Sequence, residues 1–138
     1  MTKPKQDFKP LHNRLLEEFG RRTIDEIKIP DYIKENLNPK FELREYQTQA
    51  LKFFICYLDK DFSFKNNPTQ LLYHMATGSG KTLIMAANIL YLYQQGYRNF
   101  IFFVNSTNII EKTKENFLNP QSIKYLFADN ISFGAKNV

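Results

Sequence analysis

Tryptophan is absent from this sequence of 138 residues, and cysteine occurs once, at Cys56. One thiol excludes an internal disulfide and fits a reducing compartment. In its apolar surroundings Cys56 reads as a buried structural thiol rather than a nucleophile. No apolar run reaches the ~18 residues a membrane span needs, and none follows the lysines of MTKPKQDFKP as in a signal peptide. The expectation is a cytoplasmic protein with no membrane partner. No block of like charges forms a basic tail; the net charge of +5 is spread along the chain and leans only modestly towards polyanions. The two histidines have no Cys, Asp or Glu beside them at ligand spacing, so no zinc site is expected.

Aromatics are abundant instead, with 13 Phe and 8 Tyr, and hydrophobic residues make up 43% of the chain. That is enough apolar material for one domain with a sizeable core. Residues 1–10 are polar and carry two prolines, which predicts poor order. A short amphipathic helix is expected over Leu11–Phe19, stopped by Gly20, and another between Pro30 and Pro39. From Leu43 onwards Tyr46, Ala50, Leu51, Phe54, Ile55 and Leu58 recur at helical spacing and give one apolar face. Gln70–Met75 (QLLYHM) reads as a buried strand, Thr82–Gln95 as a helix closed by Gly96, and Asn99–Val104 (NFIFFV) as a second buried strand. Asn105-Ser106-Thr107 opens a last helix with Ile109, Ile110, Thr113 and Phe117 on one side, ended by Pro120. Two strands joined through a helix are most simply parallel. The expected fold class is therefore α/β, a partial parallel sheet with flanking helices, after a helical lead-in over residues 1–40.

The chemistry concentrates between the first strand and its helix, in Ala76-Thr77-Gly78-Ser79-Gly80-Lys81-Thr82. Glycines let the backbone curl so that several N–H groups face one phosphate chain. The helix that follows directs its dipole and its unpaired N–H groups at the same anion. Lys81 supplies a point charge for β- and γ-phosphates, and the Thr82 hydroxyl is placed to ligate Mg²⁺. Thr77, Gly78, Ser79 and Gly80 complete the cradle. Met75 stands at the first glycine position of the general pattern G-x-x-x-x-G-K-[ST].

MATGSGKT resembles motif I of superfamily 2 helicases and translocases, and is especially similar to the form found in type I and type III restriction enzymes. FELREYQTQAL (residues 41–51) resembles the segment that opens their first motor domain, whose glutamine reads adenine. A primary amide donates and accepts, so Gln47 can pair with adenine N6 and N7, while Arg44 and Tyr46 offer a cation and a ring against the base. Taken alone, Gln47 reads first as an ordinary surface residue of an amphipathic helix; its place about thirty residues before MATGSGKT favours the adenine role. FIFFVNSTNIIEKTKENF is placed like motif Ia, which grips a nucleic-acid backbone; Ser106 and Thr107 suit a phosphate there, or simply cap their helix. Asn105 stands where the family usually has proline.

The resemblance covers about residues 41–118 and is closest to the type III restriction Res subunit. It implies a RecA-like P-loop NTPase fold and assigns residues 41–138 to the front of an ATP-binding motor domain. It also implies ATP and Mg²⁺ as cofactors, double-stranded DNA as substrate and a DNA methyltransferase (modification) subunit as partner. The acidic box that completes such a motor is expected beyond Val138. Asp129, at the end of the apolar run Tyr125–Ala128, mimics that box but is followed by Asn130. A P-loop protein of another class and an inactive interaction module stay open as alternatives.

Overall fold

The computed structural model describes residues 8–134 and the backbone of 136–137. Six helices carry the chain: α1 Leu11–Phe19, α2 Arg21–Asp25, α3 Asp31–Asn36, α4 Glu45–Asp59, α5 Lys81–Gln94 and α6 Thr107–Leu118. A two-residue antiparallel pair, β1 Ser132–Phe133 with β2 Lys136–Asn137, is the sheet found among the described residues. Expectations for residues 1–7 lie outside the described region.

Helix α4 is the organising element because two of its faces are apolar. Leu51, Phe54 and Ile55 pack with Ile33 and Leu37 and with Leu83, Ile84, Ala87 and Leu90 of α5. Cys56 and Tyr57 point the other way, into a smaller cluster with Leu15 of α1 and Ile24 of α2. The lead-in is thus packed onto the same helix that carries the glutamine segment. Gly20 joins α1 to α2 with φ +82°, a conformation that glycine adopts without steric cost, and its N–H closes on Leu16 O. Cys56 is buried, and burial raises its thiol pKa, which suits a packing role.

The segment after α3 is held by a clasp between distant parts of the chain. Asn36 Nδ2 donates to Tyr32 O (2.7 Å) and Ser132 O (2.8 Å), and Asn36 Oδ1 accepts from Ser132 N at 2.8 Å. Ala128 N donates to Asn36 O, Asn38 N to Leu126 O, and Leu37 bridges Phe127 in antiparallel sense. A buried amide that meets backbone donors and acceptors on both sides is fully satisfied. This clasp seats Leu126 and Phe127 in the main core. It also places the Tyr125–Ala128 run against α3, with Asp129 exposed beyond it.

The expected parallel sheet is not seen among the described residues. Residues 70–75 and 99–104 are not assigned as strands, and no ladder joins them among the described residues. Residues 71–75 still alternate as a strand would, with Leu71, Tyr73 and Met75 packed on the core and Leu72 and His74 turned outward. His74 is thus exposed. The physical reason for the missing pairing is coverage, since a parallel sheet is stable when both faces are buried. Here Leu72 (88% exposed), Ile101 (78%) and Phe103 (90%) face solvent. Helix α6 forms as its pattern predicts, yet none of its residues is buried. Its C-terminal end is held by Phe117, between Phe102 and Phe127, and by Asn116 O, which accepts from Leu126 N at 2.9 Å.

Candidate functional site

The glycine loop lies between the core-facing run 71–75 and the first turn of α5. Gly78 (φ +79°) and Gly80 (φ +84°) both occupy the left-handed region, which bends the chain sharply twice within three residues. Ser79 N and Ser79 Oγ both donate to Ala76 O, at 3.2 and 2.5 Å, and close a tight turn. Among the described residues, the N–H groups of Gly78, Gly80, Lys81 and Thr82 have no protein acceptor. Successive unpaired amides at a helix N-terminus make an anion-binding concavity.

Lys81 is exposed, and its Nζ donates to Met75 O (3.1 Å) and Ala76 O (3.2 Å). The ammonium is therefore folded back over the mouth of its own loop, within a side-chain rotation of any anion seated there. Thr82 lies half-buried in the first turn of α5, and Thr77 is exposed on the rim. No group of three or more His, Cys, Asp or Glu side chains able to hold a metal occurs among the described residues. A magnesium ion here would be held by the Thr82 hydroxyl and by a bound phosphate chain.

The glutamine segment reaches this loop directly. Gln47 is buried (2% exposed), and each end of its amide is committed. Its Oε1 accepts from Arg44 N at 2.9 Å, the capping-box contact of a glutamine three residues into a helix. Its Nε2 donates to Ser79 O (3.2 Å) and Gly80 O (3.3 Å). Tyr46 Oη donates to the same Ser79 O at 2.6 Å, and Arg44 Nη1 donates to Tyr46 Oη at 3.1 Å. A Cβ at Gly80 would lie 2.3 Å from Gln47 Nε2, so this close approach requires glycine.

Arg44, Gln47, Ser79, Gly80 and Lys81 are thus brought together, as one loop and its brace. In this conformation Gln47 contacts the loop backbone, and reading an adenine edge would require its amide to turn away. Ser106 acts as the N-cap of α6, its Oγ accepting from Ile109 N at 3.4 Å, and Thr107 is exposed beside it. No hydrogen bond joins either residue to the loop among the described residues. Reading the sequence for base contacts left the Tyr46 hydroxyl unassigned. The spacing of Arg44 to Gln47 as N-cap and third helical residue was the available signal for the capping bond; contact with Ser79 is non-local and leaves no pattern in sequence.

A strand-like run, a twice-bent glycine loop and a helix whose first amides are free together form the architecture that proteins use to cradle phosphate chains. Comparison with known proteins supplies the family. The family model described as "Type III restriction enzyme, res subunit" matches residues 40–137. The chain is also similar to the probable type III restriction-modification enzyme HindVIP Res subunit of Haemophilus influenzae, with 45% identity over 124 residues. That alignment covers 86% of this chain and 23% of the relative, so the chain spans about a quarter of the relative's length. No solved structure matches it.

The chain belongs to the type III restriction enzyme Res subunit family. The resemblance to a Res-like helicase fragment is thus a family relationship. Among the described residues no helix is long and apolar enough to cross a membrane.

Proposed function

We propose that this chain forms the nucleotide-binding front of an ATP-dependent DNA translocase or helicase, the restriction subunit of a type III restriction-modification system. The observation that carries the reading is the glycine loop, with four unpartnered amides at the start of α5 and Lys81 beside them. Those amides and Lys81 bind the phosphates of ATP, and Thr82 holds Mg²⁺. ATP bound with Mg²⁺ supplies the hydrolysable phosphoanhydride; this chain's residues bind and orient it. On this reading double-stranded DNA is the substrate, a modification methyltransferase the partner and the cytoplasm the compartment; family membership supports it.

Within this reading residues 41–138 are the first part of a RecA-like ATP-binding domain, and residues 1–40 its lead-in. Runs 70–75 and 99–104 are its parallel strands, paired when their exposed faces are covered. Ser106 and Thr107, at the start of α6, hold a DNA phosphate, for which a helix N-terminus and two hydroxyls are suited. Gln47 and Arg44 border the base, and adenine selectivity arises when the Gln47 amide turns from the loop to the ring.

The test is Mg²⁺–ATP binding by this chain and DNA-stimulated ATP hydrolysis by a full-length Res protein that carries it, each with and without Lys81→Ala. The expected result is loss of ATP affinity and of turnover in the variant. Unchanged binding with Lys81→Ala removes the loop from the function, and turnover indifferent to DNA removes the translocase. Gln47→Ala is expected to narrow the preference for ATP over GTP; unaltered selectivity would confine that residue to bracing.

A further inference from the structure

We propose that Tyr46 is a positioning residue for phosphate binding, acting through its hydroxyl on the loop backbone and not through its ring on a base. The proposal rests on the phosphate-loop reading above and adds a residue to it. Tyr46 lies at the start of α4 and is 43% exposed. Its Oη donates to Ser79 O at 2.6 Å, the shortest of the bonds that tie α4 to the loop.

That bond governs where an amide points. In a trans peptide the C=O and the N–H of the next residue lie in one plane and point in opposite directions. Holding Ser79 O against α4 therefore turns the Gly80 N–H away from α4, to the side left open for an anion. Gln47 Nε2, shared with Gly80 O, does the same for the Lys81 N–H. Both amides are among those with no protein acceptor in the described residues.

A clamp is needed because Gly80 is permissive. Glycine takes either sign of φ at little cost, so the Ser79–Gly80 peptide can flip and present its carbonyl where the amide belongs. A carbonyl aimed at a phosphate repels it. Two donors resist that flip, Tyr46 at 2.6 Å and the longer, shared Gln47 contact at 3.2 Å. Arg44 Nη1 donates to Tyr46 Oη and so leaves the phenol hydrogen free to point at Ser79 O. The triad of Arg44, Tyr46 and Ser79 is thus a relay that ends on the loop.

A ring that stacks on a base and a hydroxyl that holds the loop make opposite forecasts. The experiment measures Mg²⁺-dependent binding of ATP, GTP and inorganic tripolyphosphate to the full chain, its Tyr46→Phe and Tyr46→Leu variants, and Lys81→Ala. Tyr46→Phe keeps the ring and removes one hydrogen bond. It is expected to weaken all three ligands by the same factor, roughly three- to tenfold, with the melting temperature of the free chain unchanged. Tyr46→Leu is expected to match it on tripolyphosphate.

Normal affinities in Tyr46→Phe, with losses for ATP and GTP but not tripolyphosphate in Tyr46→Leu, would assign the residue to stacking and overturn the proposal. A fall in melting temperature that accounts for the weaker binding would overturn it as well. The control separates the two levels. If Lys81→Ala abolishes binding and Tyr46→Phe does not weaken it, only the positioning role fails; if Lys81→Ala binds normally, or the unaltered chain binds none of the three, the phosphate-loop reading fails and this proposal with it.

Discussion

Helices α5 and α6 differ little in length, 14 and 12 residues, and both follow an extended apolar run, yet they meet opposite fates. Helix α5 buries Leu83, Ile84, Ala86, Ala87, Leu90 and Tyr91 against α3 and α4. Helix α6 buries nothing among the described residues, although Ile109, Ile110, Thr113 and Phe117 recur on one side. Local pattern was sufficient to form both helices, and a partner surface decided which one became core. The phosphate loop opens the covered helix, so the site inherits its rigidity from α4 and α5. The segment proposed to grip DNA opens the uncovered one.

The sharpest way to break this contrast is to cut into the covered side. Leu51→Ala, at a fully buried position of α4, is expected to cost about 2–5 kcal/mol in denaturant unfolding. A loss under 1 kcal/mol would mean that the α4–α5 contact is not the stabilising interface. Asn36→Ala, which removes three hydrogen bonds from the clasp and leaves backbone groups of Ser132 unpaired, is expected to cost roughly 1–3 kcal/mol. Gly80→Ala imposes a left-handed φ on an ordinary residue, about 1–2 kcal/mol, and displaces Gln47. Its stability loss should be accompanied by loss of ATP binding, and retained affinity would show that the brace is dispensable.

A pH titration tests the run between the two regions. Burial pushes the Tyr73 phenol up to about 12, and its hydrogen bonding with Asn88 offsets part of that rise. The folded state thus favours the neutral phenol relative to an ordinary tyrosine near 10. The resulting stability is fully present below pH 10 and is lost as the pH rises through 12. Unfolding monitored across that window should steepen above pH 10 and be shallower in Tyr73→Phe, where the Tyr91 phenol, raised by burial and by Asp59, still contributes. The same slope in both proteins would place the titrating group elsewhere. The smallest effect is expected on the open side, where Ile109→Ala should change stability by no more than about 0.5 kcal/mol. A large loss there would show that α6 is packed after all.

Much of this was readable from residue order. Helices α1, α3, α4 and α5 fall within about two residues of their predicted spans, because apolar spacing, Gly20, Pro30 and the glycine loop act locally. The loop itself was legible as seven consecutive residues. The clasp of Asn36 on Ser132 was not, since 96 residues separate the partners and a lone asparagine carries no periodic signal. The pairing of 70–75 with 99–104 is not seen among the described residues: a strand pattern states what a segment would bury and not what lies beside it.

Residue order by itself determined the helices, the bends at Gly78 and Gly80 and the charge at Lys81, because each depends on dihedral preference or on neighbours within a turn. Only tertiary structure decided that α5 is covered and α6 open, that Asn36 closes on the far end of the chain, and that Tyr46 and Gln47 hold the carbonyls of the loop. Those outcomes require surfaces distant in sequence to meet, and burial and hydrogen bonding act on proximity in space.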